Sequence, residues 1–284
     1  MKKIMVTGAS GYIGKSFIRK HISEYEFMSV SLRSGLPTNF NDVKTVLHLS
    51  ALVHQTKKYP NTRYFEINTK QTELLAKKAK KQGVEHFVFF STVAVYGVNG
   101  YLNNQGEIIN EESDCHPVSA YAKSKLEAEK ILLNMESDDF KISIVRPPVV
   151  YGLDCPGNMQ RLKALVQRFP FLPFDYDANK RSMVNIENLL HFTKQVINEK
   201  ATGILIPQDT DKYSIKQIVA ILSSSMGKKP LFFKLPIIVF NFLARIKPQM
   251  MSSLYGTLVF DSTASNRKTK YVEKITAEEG LRSM

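Results

Sequence analysis

Apolar and polar positions along this chain alternate in blocks whose period changes from one block to the next. Short apolar runs fall at 3–8 (KIMVTG), 27–32 (FMSVSL), 44–51 (KTVLHLSA), 86–95 (HFVFFSTVAV) and 140–150 (FKISIVRPPVV). Runs of this length, rich in Val, Ile and Phe, read as strands buried on both faces. Between them, helical spacing predicts helices over about 15–22, 68–82 and 119–135. In the second of these Leu74, Leu75 and Ala79 share one side, lysines take the other, and Gly83 is placed to cap the end. Buried strands separated by helices predict a doubly wound, parallel α/β sheet of the Rossmann type. A helix–strand pair at roughly 187–206 is expected to return to it. After residue 150 the pattern breaks into segments rich in Pro and aromatics, which suits a smaller C-terminal domain. The expected division is a sheet domain of 1–150 plus about 187–206, and a smaller domain of 151–186 and 207–284. The longest apolar segment, LPIIVFNFLARI (235–246), contains Asn241 and Arg245 and is shorter than the ~18 residues of a membrane span. It is expected to be a helix that packs its apolar face on the smaller domain; docking on a membrane surface is the alternative.

Composition narrows the class. With 43% hydrophobic and 23% charged residues, the 284-residue chain reads as globular and not disordered. The net charge of +13 suits a nucleic acid, an anionic membrane surface or a phosphate-bearing substrate. The lysines are dispersed, and their one dense cluster, 70–83, is accounted for by a solvated helix face. No aromatics are interleaved with them as single-strand binding platforms require, so nucleic acid is not the expected partner. Cys115 and Cys155 show neither metal-ligand nor disulfide-framework spacing, and read as free thiols. No metal site is expected. The opening MKKIMVTGASG turns polar and Gly-rich too soon for a secretory signal, and a cytoplasmic location is the expectation.

Candidate chemistry begins at IMVTGASGYIG (4–14). A strand, three glycines at three-residue intervals and a helix make a phosphate-binding turn: Gly8 allows the turn, Gly11 lets a pyrophosphate approach, and Gly14 lets the helix pack on the strand. The motif alone is weak. Corroboration comes from SAYAKSK (119–125), where Tyr121 and Lys125 stand at i and i+4 on one predicted helix face. An ammonium there is expected to lower the phenol pKa toward working pH, making Tyr121 a proton donor or acceptor for a carbinol or ketone. Tyr176 and Lys180 repeat the spacing, but in a loop-like stretch after Pro173 where helical geometry does not apply.

With these residues in place the chain resembles the extended short-chain dehydrogenase/reductases, the NAD-dependent epimerase/dehydratase group that acts on nucleotide sugars. TGASGYIG, VLHLSALVH, FFSTVAVYG, YAKSK and RPPVVYG occur in that group's order and spacing, from residue 3 to about 190, with a weaker echo in TAEEGL. RPPVVYGLDCPGNMQRL and KRSMVNIENL resemble its UDP-glucose 4-epimerase-like branch, and most of all the 4-keto-reductases that make UDP-N-acetyl-6-deoxyhexosamines for capsule or O-antigen. The resemblance implies an NAD(P)-binding sheet domain and a UDP-sugar substrate held by the smaller domain. Tyr121 would be the general acid/base, and Lys125 its electrostatic partner and ribose anchor. Thr92 would hydrogen-bond the sugar's C4 oxygen, with Val93 beside it. Gly8, Gly11, Tyr12, Ile13 and Gly14 would line the pyrophosphate. Leu49, Ser50, Ala51 and Asn68 would flank the adenosine and ribose, with Pro148 also on the cofactor. Asn158 and Arg181 match positions that touch the substrate's nucleotide and diphosphate; a surface arginine beside Lys180 is the bland alternative for Arg181. The family's habit of pairing two helices per subunit implies a homodimer through the 68–82 and 119–135 helices.

Two departures from the family pattern shape the reaction. Where NAD-specific members end the second strand with an acid that binds ribose hydroxyls, this chain has Leu32 followed by Arg33. An arginine suits a 2′-phosphate, so NADP(H) is expected over NAD(H). The link from Arg33 to Val43 is also short, where relatives carry a further strand and an Asp for the adenine. Dehydratases add an acidic pair after the Ser/Thr, yet Val93 and Ala94 occupy those places. An exchangeable-cofactor 4-keto-reductase is therefore the leading expectation and a UDP-hexose or UDP-N-acetylhexosamine 4-epimerase the alternative. Non-catalytic NAD(P)-binding regulators or scaffolds share the fold, but typically lose the Tyr or Lys retained here.

Overall fold

In a computed structural model that describes residues 1–53, 59–102 and 106–284, the apolar runs assemble into one parallel sheet. Its first five strands are β1 (Lys2–Thr7), β2 (Tyr25–Val30), β3 (Val43–His48), β4 (His86–Phe90) and β5 (Lys141–Val145). The crossovers are α1 (Tyr12–His21), a continuous helical stretch made of α2 (Asn61–Tyr64), a π-helical turn Phe65–Lys70 and α3 (Gln71–Lys81), and then α4 (Ala120–Leu133). Side chains alternate between the two faces of the sheet, as a period of two requires. Ile4, Val6, Leu47 and Val88 face one core with Phe17 of α1, while Met5, Val46, Phe87 and Phe89 face the other with Leu75 and Ala79 of α3 and Leu132 of α4.

The 140–150 run does not stay in the sheet. Pro147 and Pro148 follow Arg146 and supply no backbone donors, so ladder pairing ends at Val145. The chain re-forms as β6 (Val149–Tyr151), continues through α5 (Asn158–Arg168) and β7 (Phe171–Leu172), and reaches β8 (Met183–Asn185), which pairs with β6 in parallel. Then α6 (Ile186–Glu199) covers the first core with Leu189, Phe192 and Val196, and β9 (Gly203–Leu205) adds to β5 as the last strand. The sheet order is β2-β1-β3-β4-β5-β9. It reverses at β1, so the crevice at the carboxyl ends of β1, β2 and β3 is the place for a ligand.

Beyond β9 come α7 (Ile215–Ser225), β10 (Leu231–Phe232) paired with β7, α8 (Ile237–Ile246), α9 (Pro248–Tyr255), α10 (Thr263–Thr269) and α11 (Ala277–Arg282). A separate core joins Leu162 and Val166 of α5, Ile218, Val219 and Leu222 of α7, and Met251 and Tyr255 of α9. Buried Asp209 ties this lobe to the sheet. Its carboxylate accepts from the Tyr151 hydroxyl (2.7 Å), the Asn185 N–H (3.0 Å) and the Asn188 carboxamide (2.7 Å), while burial raises its pKa to about 6.

The segment 235–246 departs from expectation. Only Phe240, Leu243 and Ala244 of α8 pack, half-buried, against the small core, and none of its residues is fully buried. Ile237, Ile238, Val239, Phe242 and Ile246 stand exposed. The helix is apolar on nearly all sides, and the surface beneath it covers one of them. No helix among the described residues is long and apolar enough to cross a membrane.

Candidate active site

The glycine turn at the end of β1 is built so that no side chain fits. Gly8 has φ +73°, and a Cβ there would stand 2.8 Å from the Ser50 nitrogen. The Gly11 N–H donates to the Gly8 carbonyl (3.0 Å), and a Cβ on Gly14 would lie 2.4 Å from that same oxygen. Gly14 thus lets α1 press directly on the turn. Gly11 caps α1 without a side-chain hydrogen bond and no acid occupies the first turn, so its N–H groups point outward with the positive end of the helix dipole.

Around this turn lies a cleft of about 410 Å³, walled by residues 8–11, the end of β2 with 29–33, and 49–51 after β3. Among the described residues that line it, Arg33 is the only charged one. Arg33 is exposed on a 3-10 turn whose start is capped by the Ser31 side chain accepting from the Arg33 N–H (3.4 Å). A Gly turn into which a Cβ would collide, an open helix N-terminus and a cation at the end of β2 fit the diphosphate and ribose of a dinucleotide. Tyr12 and Ile13 follow in the first turn of α1. Ile13 packs on the first core, and the Tyr12 hydroxyl donates to the Leu153 carbonyl (2.7 Å), tying α1 to the segment after β6. His54, the last residue of the VLHLSALVH motif, lies outside the described residues.

Along the neighbouring strands stands the second cluster. Ser119 caps α4 by accepting from the Ala122 N–H (3.1 Å), placing half-buried Tyr121 in the first turn and Lys125 one turn on. Lys125 is 1% exposed, with its Nζ 3.9 Å from the centre of the Phe89 ring. Thr92 follows β4, where the Ser91 N–H donates to Val145 (2.7 Å) and the Val93 N–H to Pro147 (3.3 Å). The Thr92 hydroxyl accepts from the Ala94 N–H (3.1 Å), which leaves its own proton available to a substrate oxygen. Pro148 is buried at the start of the turn toward β6.

The electrostatics differ from the sequence expectation. Burial pushes the Tyr121 phenol up to about 12 and the Lys125 ammonium down to about 7, with Glu129 partly opposing the latter. Desolvation is the leading cause of both shifts, so Tyr121 stands as a neutral phenol and Lys125, one turn on, is poised near neutrality. Glu129 is itself committed: its carboxylate accepts three hydrogen bonds from buried Arg146, whose guanidinium lies 4.8 Å from the Tyr96 ring centre.

A buried polar chain joins the two clusters, and the sequence reading missed most of it. The Ser50 N–H donates to the Thr7 hydroxyl (3.3 Å), Thr7 pairs with His48 Nδ1 (2.6 Å), and His48 Nε2 with the Thr72 hydroxyl (2.8 Å). Thr72 donates to the Asn68 carbonyl (2.8 Å). Burial drops the His48 pKa to about 3, so the imidazole is neutral and relays hydrogen bonds between hydroxyls. The Asn68 carboxamide accepts from the Leu52 N–H (2.7 Å) and donates to the Leu52 carbonyl (3.0 Å) and to Ser124 of α4 (3.0 Å). Asn68 thereby fixes the 49–52 segment against α4. It sits in the π-helical turn, which widens the helix to aim it there. The available signal was the polar residue inside an apolar run, Thr7 in IMVT and His48 in VLHLS.

On the substrate side Asn158 is exposed as the first residue of α5. Arg181 is not a surface arginine: it is 8% exposed, and its guanidinium donates to the carbonyls of Asn99 (2.8 Å), Ser252 (3.2 Å) and Gly256 (3.1 Å). Among the described residues no carboxylate pairs with it, and burial lowers its pKa to about 10. A buried guanidinium so placed favours an anion.

Fold and cleft together define a Rossmann-type dinucleotide-binding protein. Residues 4–201 match the NAD dependent epimerase/dehydratase family. The chain belongs to that family and is an NAD(P)-dependent enzyme. It is 27% identical to a UDP-glucose 4-epimerase of Vibrio cholerae over 99% of this chain and 94% of that one. It is also 27% identical to an N-acetyl-α-D-glucosaminyl-diphospho-ditrans,octacis-undecaprenol 4-epimerase of Escherichia coli O157:H7, over 98% of this chain and 92% of that one. Its fold superposes on a UDP-glucuronic acid 4-epimerase of Bacillus cereus in complex with NAD, with a TM-score of 0.75 at 19% identity, covering 99% and 96% of the two chains.

Proposed function

We propose that this chain reduces the 4-keto group of a diphosphate-linked sugar with NADPH, as in the making of a UDP-N-acetyl-6-deoxyhexosamine for a surface polysaccharide. The observation that carries the reading is the cleft at the end of β2, where Arg33 is the only charged residue among the described ones that line it. A carboxylate there would bind ribose hydroxyls and repel a 2′-phosphate; an arginine attracts the phosphate. Gly8, Gly11 and the first turn of α1 would take the diphosphate, and residues 49–51 the adenosine side.

When bound, NADPH supplies a hydride to the sugar's C4 carbonyl. Negative charge then grows on the C4 oxygen, and Tyr121 donates its phenolic proton to it while the Thr92 hydroxyl holds it in line. A phenol kept neutral by burial is the form this step consumes. Lys125 would hold ribose hydroxyls and stabilise the phenolate left behind. Arg181, buried without an acid, and Asn158 would take the substrate diphosphate and nucleotide. Val93 and Ala94, where a dehydratase has acids, begin a 3-10 turn and supply no group to move protons at C5 and C6.

C4 epimerisation is the second reading, favoured by the two relatives matched over nearly their whole length, both named as 4-epimerases. One experiment separates them: a UDP-4-keto-6-deoxy-N-acetylhexosamine with NADPH, and separately UDP-glucose or UDP-N-acetylglucosamine without added cofactor. Stoichiometric NADPH oxidation in the first supports reduction. C4 inversion in the second, with no oxidation in the first, establishes epimerisation instead.

A further inference from the structure

The apolar surface left open on the smaller lobe has a consistent chemistry. Ile238, Val239, Phe242 and Ile246 share the outer face of α8, opposite the Phe240/Leu243/Ala244 face that packs inward. Ile238 is 80% exposed and Phe242 62%. The surface extends through Leu231 and Phe233, which lead into the helix, and Phe171 stands directly opposite Leu231 across the β7–β10 pair. Isolated exposed apolar residues are ordinary, but a run of this kind on one element marks an interaction face.

Charge identifies the partner. No acidic residue occurs between Asp211 and Asp261, a stretch that contains the whole of α8. Lys228, Lys229, Lys234, Arg245 and Lys247, all exposed, flank α8 within it. Asp175, which lines the adjoining pocket with Lys234, Ile237 and Phe240, is ion-paired with Lys216 and leaves the rim net positive. A face meant for a second copy of this chain would set these cations against their equivalents, and a groove for an apolar peptide would not need them. Large apolar side chains rimmed by lysine and arginine match an interface with anionic head groups outside and acyl chains within. With ten residues α8 is too short to span a bilayer, so it would lie in the interface plane.

We propose that the face formed by α8 and the β7–β10 edge docks this enzyme on an anionic lipid bilayer. The docking face also lies one helix from the candidate substrate anchor: α9 packs on α8, and the carbonyls of Ser252 in α9 and of Gly256 just after it accept from Arg181. A membrane-docked enzyme would therefore hold its sugar site close to the lipid surface. The proposal does not depend on which C4 reaction is catalysed.

The test is co-sedimentation of the full chain with phosphatidylcholine vesicles and with vesicles containing phosphatidylglycerol. Binding to the anionic vesicles that weakens in high salt is the expected result. The double variant Lys228→Gln/Lys229→Gln should lower the partition coefficient ~10- to 30-fold. Ile238→Glu/Phe242→Glu should abolish binding, and because both positions are exposed these variants should still fold and turn over a soluble nucleotide sugar at the unmodified rate. Failure of the unmodified protein to bind phosphatidylglycerol vesicles overturns the proposal. So does a stable dimer in light scattering that Ile238→Glu dissociates, if vesicles are not bound, because the face would then belong to a second copy. Either failure leaves the C4 chemistry to its own assay.

Discussion

Replacing Lys125 by methionine should abolish function and yet make the ligand-free protein more stable. Lys125 is almost wholly enclosed, its Nζ rests on the Phe89 ring, and the nearest acid on its helix, Glu129, is held by Arg146. Its pKa falls from an ordinary 10.5 to about 7 because burial penalises the charged form. At 1.36 kcal/mol per pKa unit, folding at pH 7.5 must either expel a proton or bury a cation, at a cost of ~4 kcal/mol. Contact with the Phe89 face returns ~2 kcal/mol of that when the amine is charged and desolvated. Methionine has nearly the same length and no charge, so the variant should gain ~2–4 kcal/mol, or ~5–15 °C in Tm for a chain of this size. The advantage has a defined pH window. A lysine whose folded pKa lies below its unfolded one costs stability in full below about pH 7, and the cost fades as pH rises toward ~10.4. Scanning calorimetry at pH 7.5 and 10 checks both points, and NADPH titration with turnover assays should show loss of affinity and rate together. A variant less stable than the parent at pH 7.5, or a difference that does not shrink by pH 10, would refute the reasoning.

Other substitutions probe separate parts of the site. Tyr121→Phe removes the proton donor alone and should cut kcat by ~10²–10⁴-fold with cofactor affinity nearly unchanged; a kcat within a few-fold of the parent would show that another group protonates the C4 oxygen. Arg33→Ala should weaken NADPH binding by ~10–100-fold and leave NADH binding almost untouched, whereas equal affinities for the two in the parent protein, measured by calorimetry, would disprove the 2′-phosphate assignment. Asp209→Asn would set an amide donor against the donors of Tyr151, Asn185 and Asn188, and should cost ~2–4 kcal/mol; chemical denaturation that finds under ~1 kcal/mol would mean the carboxylate is not what joins lobe to sheet.

Much of this protein was legible in its sequence because the signals are local. Buried parallel strands read as apolar runs wherever they occur, and the glycine turn is dictated by a positive φ and two forbidden Cβ positions within seven residues. Tyr121 and Lys125 needed only helical spacing to be placed one turn apart on α4. Three features needed the tertiary structure. The sign of the Tyr121 shift was misjudged because spacing shows a neighbouring charge but not how little water reaches either group, and here desolvation decides. The Thr7–His48–Thr72–Asn68 chain joins residues from two strands, a π-helical turn and α3, positions that come together only after the sheet has formed. The openness of α8 was hidden for the same reason. An apolar helix looks alike in sequence whether a core covers it on all sides or on one, and only the packing of Phe240, Leu243 and Ala244, with Ile238 and Phe242 left outside, tells which.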